Sequence, residues 1–457
     1  MPQLTDIRLM EVRSECEQID YRSPIKFGGR VVNDVVLFNV QVDVETGSGK
    51  RATGFGSMPV GNVWAWPSLV VDTPQTLDGM IQMGNRMVDN ANTFHGTGHP
   101  LEITHELSQS YPAISTSVSE SLQLAETAPE LACLVAASPL EAAIHDAYGR
   151  ALEKNSYDVL GQEFVNHDLG VFLSAEFSGE YLDRYTSRAP KPAMPLYHLV
   201  GALDPLTVAD LQTPLDDGLP ETLGDWILAD GLTHLKIKLS GDNLNWDVDR
   251  VVRVEAAAAP AQNQRGCQKW HYSLDFNEKC ENVQYVLDFL AHLEEQCPAA
   301  LNRVQYIEQP THRDLRANPE NRMHEAARVK PVVIDESLVD YESLLLAREQ
   351  GYSGVALKAC KGHTEALLMG AAAQKHNLFL CVQDLTCVGS SFLHSASIAA
   401  RLPTIAAIEG NGRQYCPRGN AGWDQRYPGM FAVSDGTVAT SELTEIGLGF
   451  AAPQASS

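Results

Sequence analysis

The sequence predicts an α/β protein: an α+β domain at the N-terminus, then a closed barrel of alternating strands and helices. Three observations carry that prediction. Between residues 196 and 410, eight short apolar runs, most ending in a polar or charged residue, alternate with helical segments. Strands alternating with helices imply parallel pairing, and eight of them suit a barrel. Ahead of them, 60 residues of strand-like texture give way to a run of helices, the pattern of a separate α+β unit. No GxGxxG follows any of the eight runs, which leaves the competing open doubly wound sheet without support.

In chain order, residues 6–20 and 31–45 are rich in Val, Ile and Leu with polar alternation and read as strands, and Glu45-Thr-Gly-Ser-Gly-Lys50 is a turn signal. Residues 73–157 are helical in texture. Ser138-Pro-Leu-Glu141 places Ser at an N-cap, Pro at the first helical position and Glu at the third. It is expected to open a helix over 140–154, ending before Gly161. Residues 161–193, with the stretch Ala189-Pro-Lys-Pro192, read as a connection with an insertion. The eight barrel runs are 196–201, 234–239, 271–277, 304–310, 331–337, 354–358, 378–384 and 405–410. Residues 431–436 read as a strand and turn that pack back on the N-terminal domain, and 451–457 as a frayed end. The expected division is 1–160 capping domain, 161–193 connection, 194–420 barrel and 421–457 returning segment.

Composition bounds the function. At 44% hydrophobic and 20% charged, the chain is ordinary for a soluble globular protein. No apolar run approaches the roughly 20 residues that span a bilayer, and residues 1–10 do not read as a signal peptide. A formal net charge of −24 disfavours nucleic acid and anionic membranes as partners. The 9 cysteines are scattered and form no CxxC pair, so neither a disulfide framework nor a structural zinc site is expected. A reducing cytoplasm is the simplest compartment. The absence of HxH and HExxH disfavours a His-ligated zinc hydrolase.

Chemistry is expected at the C-terminal ends of the barrel strands. Those ends carry Lys236 and Lys238, then Asp275, Glu308, Asp335 and Lys358 on successive strands. Three carboxylates at one barrel rim repel one another without a cation, and hard oxygen ligands suit Mg²⁺. Strands two and six of eight lie half a turn apart, so Lys238 and Lys358 face each other across the pocket. A proton next to a carboxylate is a very weak acid; divalent charge on the carboxylate oxygens stabilises the enediolate left when it departs. A lysine near a metal and a second lysine is expected to have its pKa lowered. Each signal alone has a plainer reading: Asp275 and Asp335 as helix caps, Lys236 and Lys238 as a solvated face. Glu336 competes with Asp335 and Lys361 with Lys358; Asp335 is preferred because it shares a strand face with Val333, and Lys358 because Lys361 lies beyond the strand. Order lifts the joint reading: Lys, Asp, Glu, Asp, Lys on five consecutive strand ends. A Schiff-base aldolase on the same fold could use either lysine but would not need the carboxylates.

These residues resemble the motifs of the enolase superfamily, in its muconate lactonizing enzyme and dipeptide epimerase branch. Lys236-Ile-Lys238 resembles its K-x-K, Asp275-Phe-Asn277 its D-x-N, Glu308-Gln-Pro310 its E-Q-P, and Asp335-Glu-Ser337 its D-E-S. Lys358 matches the lysine after barrel strand six, residues 23–29 the mobile loop over substrate, and residues 140–149 the helix entering the barrel domain. The resemblance implies a (β/α)7β TIM-like barrel with an N-terminal α+β capping domain. It implies Asp275, Glu308 and Asp335 as Mg²⁺ ligands, Lys238 and Lys358 as acid/base groups, and Lys236 as an auxiliary cation. Asn277, Asp384, Glu409 and Lys26 are candidate substrate contacts. The implied reaction is abstraction of the α-proton of a small-molecule carboxylate, leading to racemisation, epimerisation or cycloisomerisation, in a self-associating protein. An acid-sugar-type dehydratase and a non-catalytic binding protein are the alternatives. Two features depart from the relatives: the connection over 160–193 is longer, and strand seven ends in Gln383-Asp384 where mandelate racemase has a catalytic His.

Overall fold

The computed structural model describes residues 3–27 and 30–452. The chain opens with a three-stranded antiparallel sheet: β1 (Ile7–Phe27), β2 (Arg30–Thr46) and β3 (Arg51–Pro59), in that order across the sheet. Residues 23–27, expected in a loop, instead continue β1; the register slips between Asp20 and Ile25, after which Lys26 pairs with Val31. Such a slip is a bulge, which bends a strand without ending it. Gly28 and Gly29 of the expected loop, and 453–457 of the expected frayed end, lie outside the described residues.

Helices α1 (Asn62–Ala65), α2 (Thr73–Asn92), α3 (Pro100–Ser108), α4 (Tyr111–Ser121) and α5 (Glu130–Ala151) follow. Asp72 caps α2 through the backbone N–H of Gln75, whose side chain caps in return. The helix expected to start at Leu140 starts ten residues earlier, with Pro139 inside it. Proline has no N–H for the carbonyl four residues back. Here the Ser138 hydroxyl donates to that carbonyl, Val135 O, at 2.9 Å, so the residues that resemble a helix start patch a helix interior. α5 lies so close on β3 that a Cβ on Gly56 would stand 2.0 Å from Pro139 O. Only glycine permits that approach.

The barrel consists of β4 (Met194–Val200), β5 (His234–Lys238), β6 (His271–Asp275), β7 (Val304–Glu308), β8 (Val332–Ile334), β9 (Gly354–Leu357), β10 (Phe379–Val382) and β11 (Ile405–Glu409). All eight predicted runs are strands, all parallel to their neighbours, and β11 closes on β4 through Ile408↔Leu196 and Glu409↔Tyr197. The strand expected at 431–436 lies later. Pro428–Phe431 is a helical turn, and Asp435 and Gly436, both with positive φ, form the turn into β12 (Thr437–Val438). β12 pairs antiparallel with Met194 and Pro195 of β4. Further on, Leu448 N donates to Asp146 Oδ1 and Arg150 Nη2 to Phe450 O, tying the end of the chain to α5. Among the described residues no helix is long and apolar enough to cross a membrane, and all the cysteines are free thiols.

Candidate active site

Strand periodicity builds the site. Successive side chains alternate between faces, so residues two apart share one face. Tyr197, Tyr306, Val333, Ala356, Cys381 and Ala407 form one buried cluster inside the barrel. Two residues further along the same strands come Glu308, Asp335, Lys358, Gln383 and Glu409, with Lys236 and Asp275 at the matching level of β5 and β6. An apolar floor thus carries a charged layer at the C-terminal mouth, and every one of these charged side chains is buried.

The charges are paired across strands. Lys236 Nζ lies 2.9 Å from Glu308 Oε1, 3.0 Å from Glu409 Oε2 and 3.2 Å from Asp275 Oδ2. Lys238 donates to Asp275. On the far side Lys358 Nζ is 3.0 Å from Asp335 Oδ2, and Lys361 Nζ 3.2 Å from Asp335 Oδ1. Gln383 donates to Glu308. Burial opposes the charge on Lys236 and Lys358. For Lys236 the carboxylates of Glu308, Glu409 and Asp275 outweigh burial and hold the ammonium well above its ordinary pKa. For Lys358 Asp335 does the same. Lys361, where burial wins, is lowered. Burial likewise opposes charge on Asp275 and Asp335, but Lys238 and Lys358 respectively bring them below the usual carboxylate range. Glu308 gives way: burial, then the charge of Asp275, push it well up. Burial and Asp335 raise Glu336 to about 8.

A family model described as Enolase C-terminal domain-like matches residues 219–455. The chain belongs to this family. No curated protein gives a match. Among solved structures, the L-Ala-D/L-Glu epimerase from Bacillus subtilis, in a substrate-liganded complex, aligns with TM-score 0.63 at 16% identity over 96% of this chain and 98% of that one. An enolase from Bradyrhizobium, complexed with magnesium and mandelic acid, gives 0.61 at 16% identity over 98% and 97%. The 2-chloromuconate cycloisomerase from Rhodococcus opacus gives 0.61 at 15% identity over 97% and 96%. At these identities what is shared is the fold.

Within this enolase-type barrel, the candidate residues separate by place. Lys236, Lys238, Asp275, Glu308, Asp335, Lys358 and Glu409 come together in the charged layer. Lys238, Asn277 and Lys26 line one cavity of about 600 Å³ at the mouth, beside Trp246. Asn277 reaches it through a left-handed turn, φ 47°, a conformation Asn tolerates better than most residues. Asp384 turns away: its carboxylate accepts the backbone N–H of Leu385, Cys387 and Asn411 at 2.7, 2.5 and 2.7 Å. Its role in this structure is to hold the loop after β10, and burial and Glu409 raise it to about 6. Glu336 points to the opposite side from Asp335 and accepts the Trp64 indole N–H at 2.9 Å.

Three contributors go beyond the sequence reading. Trp64, from α1, lies 4.4 Å under the Lys358 ammonium and 5.7 Å under that of Lys361. Gln309 positions Asp335, its Oε1 accepting Asp335 N at 3.0 Å and Ser337 N at 3.3 Å. Gln383 was legible by period two, because it stands two residues after Cys381; Trp64 carried no signal.

Proposed function

We propose that the protein is a Mg²⁺-dependent enzyme that moves the proton next to a carboxylate, as a racemase, epimerase or cycloisomerase. One observation carries the reading: the mirror arrangement of Lys238 on Asp275 and Lys358 on Asp335, with Glu308 on the strand between. β5 and β9 are half a barrel apart, so the two lysines address opposite faces of anything held between them. Opposed bases are what inversion at one carbon needs.

Asp275, Glu308 and Asp335 would hold the ion. Their chemistry fits: hard carboxylate oxygens on adjacent strand ends. Glu336 Oε2 is buried without a hydrogen bond, and the Asp335 oxygens face only the ammonium groups of Lys358 and Lys361. Among the described residues no three His, Cys, Asp or Glu side chains converge tightly enough to hold an ion as they stand, because Lys236 lies between Asp275 and Glu308. When bound, the ion supplies positive charge at the substrate carboxylate. Lys238, at the inner end of the mouth cavity, takes or returns the α-proton on one face and Lys358 does so on the other. Lys236 faces the substrate carboxylate. Asp275 and Asp335 orient the flanking lysines, and once their charge is engaged elsewhere the mutual repulsion of the lysines favours the neutral amine that a base requires. Lys26 and Asn277 would meet the distal part of the substrate. The free thiols support a reducing, cytoplasmic setting.

The test is proton exchange in D₂O with Mg²⁺, followed by NMR on α-substituted carboxylates: dipeptides, N-acyl amino acids, hydroxy acids, sugar acids and muconolactones. Exchange at one α-carbon, lost with EDTA and accompanied by scrambled configuration, is the expected result. Exchange with loss of a β-group would replace it with dehydration. No exchange together with no Mg²⁺ binding would make the chain a binding protein.

A further inference from the structure

A second cavity, of about 670 Å³, lies between α3, α4 and α5 on one side and the barrel helix His363–Lys375 on the other. None of its lining residues belongs to the barrel-mouth site. Its size is that of a small-molecule site. Its chemistry is one-sided. Glu130, Glu141, Asp340, Glu342 and Glu365 line it, Glu342 in an ion pair with Arg316 at 3.1 Å, and among the described residues no lysine or arginine is part of the lining. Glu141 is occupied in part, accepting Thr364 N at 3.2 Å. Glu365 has no hydrogen bond or ion pair among the described residues. Burial first, then the charge of Glu141, pushes Glu365 up to about 8, and burial puts Glu141 at about 8 as well. Lys361 offsets the rise of Glu365 only in part.

A second observation is independent of the acids. Tyr111 is 4% exposed, lines the cavity, and its hydroxyl has no hydrogen-bond partner. A buried hydroxyl without a partner is costly and rare, and a ligand in the cavity would supply one. The carboxyls do not converge on a point that could hold a metal ion. Leu134, Phe172, Leu173, Leu368 and Met369 form an apolar stretch of the wall, and hydroxyl and amide side chains with His105 line the rest. We propose that this cavity binds a small organic cation, an aliphatic amine whose ammonium group is received by Glu365 and Tyr111 and whose chain lies on the apolar wall. The inference is independent of the reaction at the barrel mouth.

Isothermal titration of the full chain with 1-aminopentane, against neutral 1-pentanol as control, tests it. The amine is expected to bind saturably at physiological salt and the alcohol not. Glu365→Gln, which keeps the shape of the protonated acid, is expected to weaken binding about tenfold or more, one lost charge-assisted contact. Tyr111→Phe should weaken it severalfold, with both variants keeping the circular dichroism and denaturation profile of the parent. No saturable binding, equal binding of the alcohol, or unchanged affinity in both variants would overturn the proposal; the last result would reduce it to general attraction by an acidic surface.

Discussion

Lys236 makes three ion pairs, to Asp275, Glu308 and Glu409, and stands where a divalent ion would bring the first two together. It therefore competes with the ion for the same oxygens. Lys236→Met should tighten Mg²⁺ binding about tenfold by titration calorimetry, since one competing cation is removed, while abolishing exchange. Weaker binding would mean that Lys236 holds the carboxylates in place instead. Lys238→Ala and Lys358→Ala should each lower kcat by about 10²–10⁴, the usual worth of a positioned acid or base, with Mg²⁺ binding retained. Full activity in either variant removes that lysine from the mechanism. The charged layer was legible because strand periodicity is strict: once one interior residue is known, every second one follows. Trp64 was not legible, since it reaches Lys358 from helix α1, outside the barrel, and no pattern in the chain links the two. Asp384 illustrates the other limit. A carboxylate at a strand end serves a pocket or its own loop with the same sequence, and only the three backbone N–H groups around it decide.

At the scale of elements, the eight barrel strands were readable from short apolar runs bounded by polar ends. The start of α5 was not. Ser-Pro with Glu two positions on is a strong local signal for a helix start, but burial of the turns on both sides overrode it, and the Ser138 hydroxyl compensates the missing donor. β12 was misplaced by a few residues for a similar reason: apolar 431–433 reads as strand, while the Asp435-Gly436 turn determines where pairing begins. The α5–β3 contact gives a sharp prediction. Gly56→Ala puts a methyl group into the backbone carbonyl of Pro139, where no rotamer change relieves it. A loss of about 3 kcal/mol, at the upper end for overpacking, is expected, read as a lower urea midpoint with unchanged slope. A variant as stable as the parent would mean that α5 rides further from the sheet.

For the whole molecule, titratable groups shifted by burial govern how stability depends on pH. Glu141, Glu336 and Glu365 are raised to about 8 by burial, above the ordinary 4.5 they regain on unfolding. Between those values the folded state holds protons that the unfolded state has lost, so their contribution is full below pH 4.5 and disappears as pH rises through 8. Buried histidines act in the opposite sense. Burial lowers His99, His234 and His394 to about 3, and His145, His198 and His363 well below 6.5. Their contribution is full above pH 6.5 and is lost as pH falls below it. Above 6.5 the histidines are neutral in both states, so the raised carboxyls dominate the slope and stability falls from 6.5 toward 8. Below 6.5 the lowered histidines begin to oppose the raised carboxyls, Glu308 and Asp384 among them. The fall between pH 6.5 and 8 is expected in urea titrations with EDTA present so that no metal engages the site. A stability still rising between pH 6.5 and 8 would show that these three carboxyls are ionised in the folded state, and that counter-charges reach the cap–barrel cavity and the Trp64 side of the site.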